Sequence, residues 1–237
     1  MIFYGSPKGG CWPYNEGYIL VTGLLGPDLN KLGDAEGRHS ARNVLVLAHQ
    51  ALSLFEQLHS ANLLHRDIKP DNLVLGCKGT ATERKLHIID FGTSESLVDR
   101  NGAKRTQPQA AEGSLPYMAV TVHEKQPLGK RDDVESVVWT LLRLCLGKLP
   151  WEHGKVSAAG VMQRKQRVKK EGLKAEEACT GLEGFMATCV NKMLAHVQGL
   201  KKPESEPDYG ALRAYVEAAW KAGGFAPKAI SKADLDY

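Results

Sequence analysis

Residues 65–72 read His-Arg-Asp-Ile-Lys-Pro-Asp-Asn, and a second short motif, Asp90-Phe91-Gly92, follows further along the chain. Short apolar runs at 73–75 and 86–89 lie between the two motifs and have the length and composition of β-strands. The polar stretch 76–85 predicts a turn that joins these strands. The pattern therefore predicts two loops rich in carboxylate and amide side chains, each bounded by a short strand.

The bulk properties of the chain are those of an ordinary globular protein. At 237 residues it is long enough to bury a sizeable core, and 43% of its residues are hydrophobic and 24% are charged. A net charge of +4 is too small to indicate a nucleic-acid partner. We therefore expect a globular protein that does not bind nucleic acid.

The cysteines and the apolar segments point to the interior of the cell. The five cysteines are scattered and form no Cys-x-x-Cys pair, which argues against a disulfide framework or a zinc site and favours a reducing compartment. The N-terminus shows no signal-peptide pattern, and the most apolar window, 137–149, contains Arg143 and is too short to span a bilayer. We expect a soluble intracellular protein, cytoplasmic or nuclear, with no membrane partner.

Periodicity predicts a mainly helical chain. Apolar residues recur at helical spacing in four segments, near 44–58, 132–146, 183–198 and 209–222. Strand-like runs are few and short, and they flank the motifs quoted above. The sequence therefore predicts an α+β fold that is mainly helical, with a few short strands around the loop at 65–72.

Composition also suggests the organisation of the chain. Residues 1–17 are rich in glycine, proline and polar groups and are expected to be irregular, and 226–237 is a tail without informative signals. The bounds of the single domain expected at 18–225 come from the family resemblance given below. A short β-like run at 18–21 opens the domain, and we expect it to lack a partner strand. The polar stretch 93–112 is expected to be an exposed loop.

The two quoted motifs, taken together and in this order, resemble the catalytic loop and the metal-binding loop of protein kinases. The resemblance implies that Asp67 accepts the proton of a substrate hydroxyl. It implies that Lys69, which is typical of serine/threonine kinases, reaches the γ-phosphate of ATP. Asn72 and Asp90 would hold Mg²⁺, a hard cation that prefers oxygen ligands. The expected cofactors are therefore ATP and Mg²⁺, and the expected substrates are proteins.

Further segments resemble the casein kinase I group of serine/threonine kinases. Residues 24–29, Leu-Leu-Gly-Pro-Asp-Leu, resemble its hinge, which would make Thr22 the gatekeeper and Leu25 a backbone contact to adenine. Residues 113–117, Gly-Ser-Leu-Pro-Tyr, and 130–136, Lys-Arg-Asp-Asp-Val-Glu-Ser, are also similar to segments of this group. The resemblance covers about residues 16–225 and implies the kinase C-terminal lobe together with the hinge.

The resemblance implies roles for two more residues. Asp133 would be a buried carboxylate that holds the backbone of the catalytic loop, although a carboxylate in a first helical turn also suits the helix dipole. Ser114 would hydrogen-bond toward Asp67 and Lys69 and help to seat the substrate. Trp151 is expected to be a core residue. Because the group generally works without phosphorylation of its activation loop, no obligatory phosphorylation site is expected in 93–112.

One departure from the group bears on the choice of substrate. The arginine that the group uses in a pocket for phosphate or acidic side chains is Pro116 here. A basic run between Arg164 and Lys170 could attract acidic substrates, but it reads equally well as a solvated helix face. A preference for acidic protein substrates is therefore left open, and a monomer is expected.

The other departure concerns the N-terminal lobe. An active kinase needs a glycine-rich loop, a strand lysine and a helix glutamate, but only Lys8 and Lys31 precede the catalytic loop. Lys31 follows the hinge, and Lys8 lies too close to it to leave room for a helix. We therefore expect this chain alone to be inactive. It could be a piece of an ordinary kinase, a pseudokinase, or a half-domain that a partner completes; the competing function is a non-catalytic module that binds partners.

Overall fold

The computed structural model describes residues 10–14, 17–99, 101–103, 112–152, 156–225, 230 and 235–237, with side chains from Thr22 onward. Lys8, part of the loop expected at 93–112 and most of the tail expected at 226–237 lie outside the described residues. Six α-helices are described: α1 Ala41–Ser60, α2 Val120–His123, α3 Lys130–Leu146, α4 Ala158–Glu171, α5 Gly184–Gly199 and α6 Tyr209–Ala222. Seven short strands accompany them: β1 Gly10–Tyr14, β2 Gly17–Val21, β3 Leu25–Asp28, β4 Leu63–Leu64, β5 Leu73–Gly76, β6 Leu86–Ile88 and β7 Glu95–Ser96.

The predicted α+β class, mainly helical with few strands, is confirmed. Helix α3 lies at the centre of the core, with fully buried side chains at Val134, Val138, Trp139 and Leu142. It packs against α1 on one side and α5 on the other, and α6 closes the bundle by packing on both α1 and α5. Four of the six helices were predicted with ends within a few residues of those observed.

Local signals explain where the helices begin. The side chains of Ser40, Ser157 and Asp208 accept hydrogen bonds from the first-turn amides of α1, α4 and α6, respectively. At α3 the Asp132 carboxylate accepts a hydrogen bond from the Gly129 amide at 2.7 Å, which gives this amide a partner at the start of the helix. These caps fix the starting points of the elements that carry the site residues.

The strands form three small antiparallel sheets. β1 pairs with β2, β4 pairs with β7, and β3, β5 and β6 form a sheet in the order β3-β5-β6. The register of the last sheet places Leu73 opposite Ile88 and Leu25 opposite Gly76. This sheet therefore lies between the segment that resembles a hinge and the two motif loops.

Two sequence expectations about the ends of the domain differ from the structure. The segment 1–17, expected to be irregular, contains β1, and β1 supplies the partner that the run at 18–21 was expected to lack. Since β1 pairs with β2, the next strand along the chain, the two form a hairpin. The glycine and proline residues of β1 obscured its strand pattern in the sequence. At the other end of the chain, in the tail at 226–237 for which the sequence carries no informative signal, Ile230 and Leu235 are buried in the core.

The end of the chain is tied to α1 by several polar contacts. The side-chain amide of Asn43 donates to the Asp236 carbonyl at 2.8 Å and accepts from the Asp236 amide at 2.9 Å. Arg42 lies 2.6 Å from the Asp236 carboxylate, and His39 Nδ1 lies 2.5 Å from the Tyr237 hydroxyl. Because these groups are far apart in sequence, no local pattern could have predicted the contact.

Among the residues that the structure describes, no helix combines the length and the apolar character needed to cross a bilayer.

Candidate active site

The backbone of the loop at 65–72 is held by one buried carboxylate. Asp133, in the first turn of α3 and only 3% exposed, accepts hydrogen bonds from the amides of His65 at 2.7 Å and Arg66 at 3.0 Å. His59 Nε2 lies 2.9 Å from the same carboxylate, and the Tyr209 hydroxyl contacts the other nitrogen of that imidazole. The expectation that Asp133 holds the catalytic-loop backbone is confirmed.

Asp67 lies at the centre of a compact polar cluster. The Lys69 ammonium is 2.7 Å from one Asp67 carboxylate oxygen, and the Ser114 amide donates to the other at 2.8 Å. The same ammonium donates to the Ser114 hydroxyl at 2.9 Å. The structure therefore brings together the three residues that the resemblance assigned to catalysis, although they come from two separate loops.

The environment keeps Asp67 ionised. Burial alone would raise the pKa of this carboxyl, but hydrogen bonds from Lys69 and Ser114 and the positive charge of Lys69 outweigh burial, so its pKa lies below the ordinary value. An ionised carboxylate beside a lysine can accept a proton from an alcohol and orient that alcohol toward an electrophile. The cluster therefore has the geometry and the charge of a general base.

Asn72 is oriented by the backbone and side chain of Asp67. Its amide nitrogen donates to the Asp67 carbonyl at 2.8 Å and contacts the Asp67 carboxylate at 3.2 Å. With the nitrogen used in this way, the amide oxygen on the other branch faces away from Asp67. Asn72 can therefore offer a neutral oxygen ligand close to the catalytic carboxylate.

Strand pairing brings Asp90 to the same place. β5 starts directly after Asn72 and β6 ends just before Asp90, and the Ile89 amide donates to the Asn72 carbonyl at 3.0 Å. Asp90 has a positive φ of 62°, which is uncommon for a residue other than glycine, and its carboxylate is exposed. The backbone of Asp90 therefore lies close to that of Asn72, at the end of the sheet where β5 begins and β6 ends.

The residues at this end of the sheet fit a divalent cation of the magnesium type. The amide oxygen of Asn72 and the carboxylate of Asp90 are hard oxygen ligands, and Mg²⁺ commonly takes only one or two protein ligands beside water and phosphate oxygens. Within the described residues no cluster of three or more histidine, cysteine, aspartate or glutamate side chains could hold a metal alone. The donor set therefore suits a metal that arrives with a phosphate ligand.

The two residues expected to contact adenine lie on the hinge-like segment. Leu25 opens β3 and pairs with Gly76, at the end of β5 remote from Asn72. β5 spans only four residues, or about 10 Å. Thr22 lies just before β3 and is exposed. The sheet thus connects this segment to Asn72 over a distance that a nucleotide can cover. The metal-binding role of Asn72 and the contacts of Thr22 and Leu25 with adenine stay predictions.

Arg66 carries a set of contacts that the sequence did not reveal. Its guanidinium lies 2.8 Å from the Glu95 carboxylate and 2.9 Å from the Glu112 carboxylate, and its Nε donates to the Thr93 carbonyl. These partners lie on both sides of the stretch 100–111, most of which is outside the described residues. The carboxylates of Glu95 and Glu112 therefore balance the positive charge of Arg66.

Most of the basic run on α4 is engaged within the fold. Arg164 donates to the Pro150 carbonyl at 2.7 Å, Arg167 lies 3.1 Å from Glu176, and Lys169 lies 2.9 Å from Glu135. Lys165, which looked like part of a solvated face, is fully buried. Among the described residues, Lys170 is the one basic residue of this run that is exposed and makes no such contact. The helix therefore presents far less free positive charge than its sequence suggests.

Gly113 enters the cluster in a conformation that a side chain would disturb. Its φ is +106°, and a Cβ at this position would lie 2.3 Å from the Arg66 carbonyl oxygen and 3.6 Å from the Asp67 carboxylate. Both the torsion angle and the backbone contact are unfavourable for any other residue. Glycine at this position allows Ser114 to approach Asp67.

We expect Gly113→Ala to lower the free energy of unfolding by about 3 kcal/mol, because strain and a backbone clash combine. Gly79→Ala is a matched control: Gly79 also has a positive φ, but open space surrounds it, so about 1–2 kcal/mol is expected. Urea unfolding followed by circular dichroism would compare the two. Equal losses for both variants would show that the contact with Arg66 does not matter.

With this geometry in place, comparison with known proteins identifies the family. Residues 10–196 match the protein kinase domain family. The chain therefore belongs to the protein kinase family.

Curated relatives narrow the assignment. The chain is 30% identical over 210 residues to casein kinase I homolog 2 of Schizosaccharomyces pombe, covering 87% of this chain and 47% of the relative. It is 30% identical over 221 residues to casein kinase I homolog 3 of the same yeast, covering 92% and 48%. It is 35% identical over 158 residues to casein kinase 1-like protein HD16 of rice, covering 63% and 22%. These similarities support the casein kinase I group, and the chain spans about half the length of the two yeast relatives and less of the rice protein.

Proposed function

We propose that the chain carries the catalytic lobe of a serine/threonine protein kinase of the casein kinase I type, which transfers the γ-phosphate of ATP to serine or threonine hydroxyls of proteins. One observation carries this proposal. Asp67, Lys69 and Ser114 form a closed cluster of three hydrogen bonds beside Asn72, and this cluster holds the pKa of the Asp67 carboxyl below its ordinary value.

Each residue of the cluster has a distinct task in this proposal. Asp67 accepts the proton of the attacking hydroxyl and aligns that hydroxyl, while Lys69 neutralises charge on the transferred phosphoryl group. Ser114 fixes the orientation of Asp67 through its amide and that of Lys69 through its hydroxyl. Most of the catalysis then comes from positioning and from electrostatic stabilisation, as the chemistry of phosphoryl transfer requires.

Asn72 and Asp90 would hold Mg²⁺ bound to ATP, and the cation would supply positive charge that offsets the charge of the phosphates. Asn72 is held in place by Asp67, whereas Asp90 is exposed, and its carboxylate accepts from the Gly92 amide of its own loop at 3.3 Å. Thr22 and Leu25 would line the adenine end of the same cleft. This assigns the nucleotide to the surface between β3 and the loop at 90–92.

The substrate preference that we propose is a general one for protein hydroxyls. The carbonyl of Pro116 is already used as an acceptor by the Trp151 indole at 2.9 Å, and the basic residues of α4 are largely paired. The paired cations of α4 therefore offer little free positive charge for the selection of acidic substrates. We also propose that the enzyme needs no phosphate on the loop after Asp90, because Glu95 and Glu112 already balance Arg66.

The competing function is a module that binds partners without catalysis. It is favoured by the exposure of two apolar side chains at the cleft, Leu24 at 52% and Phe91 at 49%. Such exposure suits a surface that another protein segment covers. In either case we propose that the protein acts inside the cell and does not form homo-oligomers.

The decisive experiment assays phosphate transfer from labelled MgATP to casein. One sample is this 237-residue chain, and the other is the same chain joined at its N-terminus to the N-terminal lobe of a casein kinase I. We expect transfer by the joined protein and little or none by the chain alone. If a correctly folded joined protein transfers no phosphate, the partner-binding module becomes the better description.

A further inference from the structure

Lys165 is buried in an unusual environment on α4. Its side chain has no exposed surface, and its ammonium donates to the carbonyls of Met118 at 2.6 Å and Leu115 at 3.3 Å. It also lies over the rings of Trp151 and Trp139, at 5.1 Å and 5.7 Å from their centroids. A buried lysine normally pairs with a carboxylate, but here backbone carbonyls and aromatic faces take that place.

The two carbonyls belong to the loop that reaches the catalytic cluster. This substrate loop, residues 113–119, begins at Gly113, includes Ser114 and ends just before α2. Its Pro116 carbonyl accepts a third bond, from the Trp151 indole nitrogen at 2.9 Å. Three carbonyls of the loop, those of Leu115, Pro116 and Met118, are therefore bound by the side chains of Lys165 and Trp151.

The far side of the loop meets the catalytic residues. The Ser114 amide donates to Asp67 at 2.8 Å, and the Ser114 hydroxyl accepts from Lys69 at 2.9 Å. The loop is therefore held between the core, through Lys165 and Trp151, and the catalytic cluster. A shift on the core side would move Ser114 away from Asp67, because the segment between them is only a few residues long.

We propose that Lys165 is a positioning residue for the protein substrate, which fixes the substrate loop through the Leu115 and Met118 carbonyls so that Ser114 meets Asp67. The inference rests on the proposed function and assigns a task to a residue that does not itself touch the catalytic cluster. Lys165 is thereby distinguished from a surface lysine that attracts acidic substrates, since its ammonium is not accessible to a ligand.

The charge state of Lys165 does not decide whether it can hold the loop. Burial lowers its pKa to about 7, with Glu135 acting to raise the pKa and Lys169 to lower it. A neutral amine retains two N–H donors and an ammonium three, so either form can serve both carbonyls.

The test replaces Lys165 by methionine, which has similar length and no donor. Removing a buried cation can leave the overall stability unchanged or raise it, so Lys165→Met is expected to fold. Hydrogen exchange by NMR would be measured at the Ser114 amide, with amides of α6 as internal reference. We expect exchange at Ser114 to become about 10- to 100-fold faster, as the loss of hydrogen bonds to a charged donor implies, with α6 unchanged.

Two further variants make the result specific. Lys170→Met removes the same kind of side chain from an exposed position on the same helix and should leave the exchange of Ser114 unchanged. Trp151→Phe keeps an aromatic ring but removes the donor to Pro116, and it should loosen the same loop to a smaller extent. Unchanged protection of Ser114 in Lys165→Met would overturn the inference, as would an equal loss of protection in Lys170→Met.

The effect of Lys165→Met on catalysis is measured in the protein joined to an N-terminal lobe. There Lys165→Met should raise the KM for a serine peptide about 10-fold and leave the KM for ATP unchanged, because the proposed nucleotide surface between β3 and the loop at 90–92 does not include the substrate loop. Equal changes in both constants would contradict a role in positioning the protein substrate. If the joined protein proves inactive, the proposed function fails, whereas the exchange of Ser114 still decides whether Lys165 holds the loop.

Discussion

Replacing Asp133 by alanine is expected to lower the free energy of unfolding by about 3–5 kcal/mol, the range for breaking a buried charged interaction on one side. The amides of His65 and Arg66 would lose their acceptor in a buried setting, and His59 would lose its partner. Each unsatisfied buried donor is costly because water cannot replace the lost bond. Guanidinium unfolding followed by circular dichroism would measure the change.

Asp71→Ala is a suitable control for this experiment, because Asp71 is an exposed carboxylate in the same loop. A change within about 0.5 kcal/mol is expected there. Asp133→Asn should fall between the two, since an amide oxygen can replace only part of the lost acceptors. A loss below about 1 kcal/mol for Asp133→Ala would show that the loop is held by other contacts.

The same carboxylate predicts how stability depends on pH. Burial would raise the pKa of Asp133, but hydrogen bonds from His59 and from the amides of His65 and Arg66 outweigh burial and lower the pKa. An aspartate in the unfolded chain has a pKa of about 3.9. The stabilisation that Asp133 contributes is therefore present above that pH and is lost as the pH falls through the lower pKa of the folded state. Acid unfolding of Asp133→Asn should lack this part of the dependence.

Replacing Asp67 by asparagine is expected to reduce kcat by about 10²- to 10⁴-fold in the protein joined to an N-terminal lobe, the usual contribution of a general base. The amide still offers an oxygen to the Ser114 amide, so the loop should keep its shape while the base is lost. Steady-state transfer of phosphate to casein would measure the rate, and circular dichroism would verify the fold.

The control for this catalytic prediction is Asp71→Asn, the same chemical change at the exposed carboxylate of the same loop. It should retain nearly full activity. Because the pKa of Asp67 is below its ordinary value, the wild-type rate should not depend on this group near neutral pH and should fall only in acid. An Asp67→Asn variant with more than a tenth of the wild-type rate would exclude Asp67 as the base.

Short motifs with strong chemical constraints were the part of the molecule that the sequence predicted well. The structure shows the expected hydrogen bonds from the backbone at 65–66 to Asp133 and the expected cluster of Asp67, Lys69 and Ser114. The joint role of Asn72 and Asp90 in holding a metal stays a prediction. Asp133 lies 67 residues beyond Arg66, so the family resemblance, and not a local pattern, predicted that contact.

The contacts that the sequence did not predict join distant segments. The basic run on helix α4 is interpreted from sequence either as an attraction for acidic substrates or as a solvated helix face. In the structure, however, the side chains of Val161, Lys165 and Val168 are buried on one face of this helix. That spacing of four and then three residues is the helical signal that could have marked Lys165 as an inward position. The balance of Arg66 by Glu95 and Glu112 has no such signal, because it depends on how two loops meet.

The closing segment of the chain has a practical consequence. A shortened protein that stops at residue 225, the expected end of the domain, would lack two stabilising residues. It would lose Leu235, which is buried in the core, and Asp236, which contacts Asn43 and Arg42. Those two partners stand at the start of the helix that runs toward the catalytic loop. Preparations intended for crystals or for kinetics should therefore keep the native sequence through Tyr237.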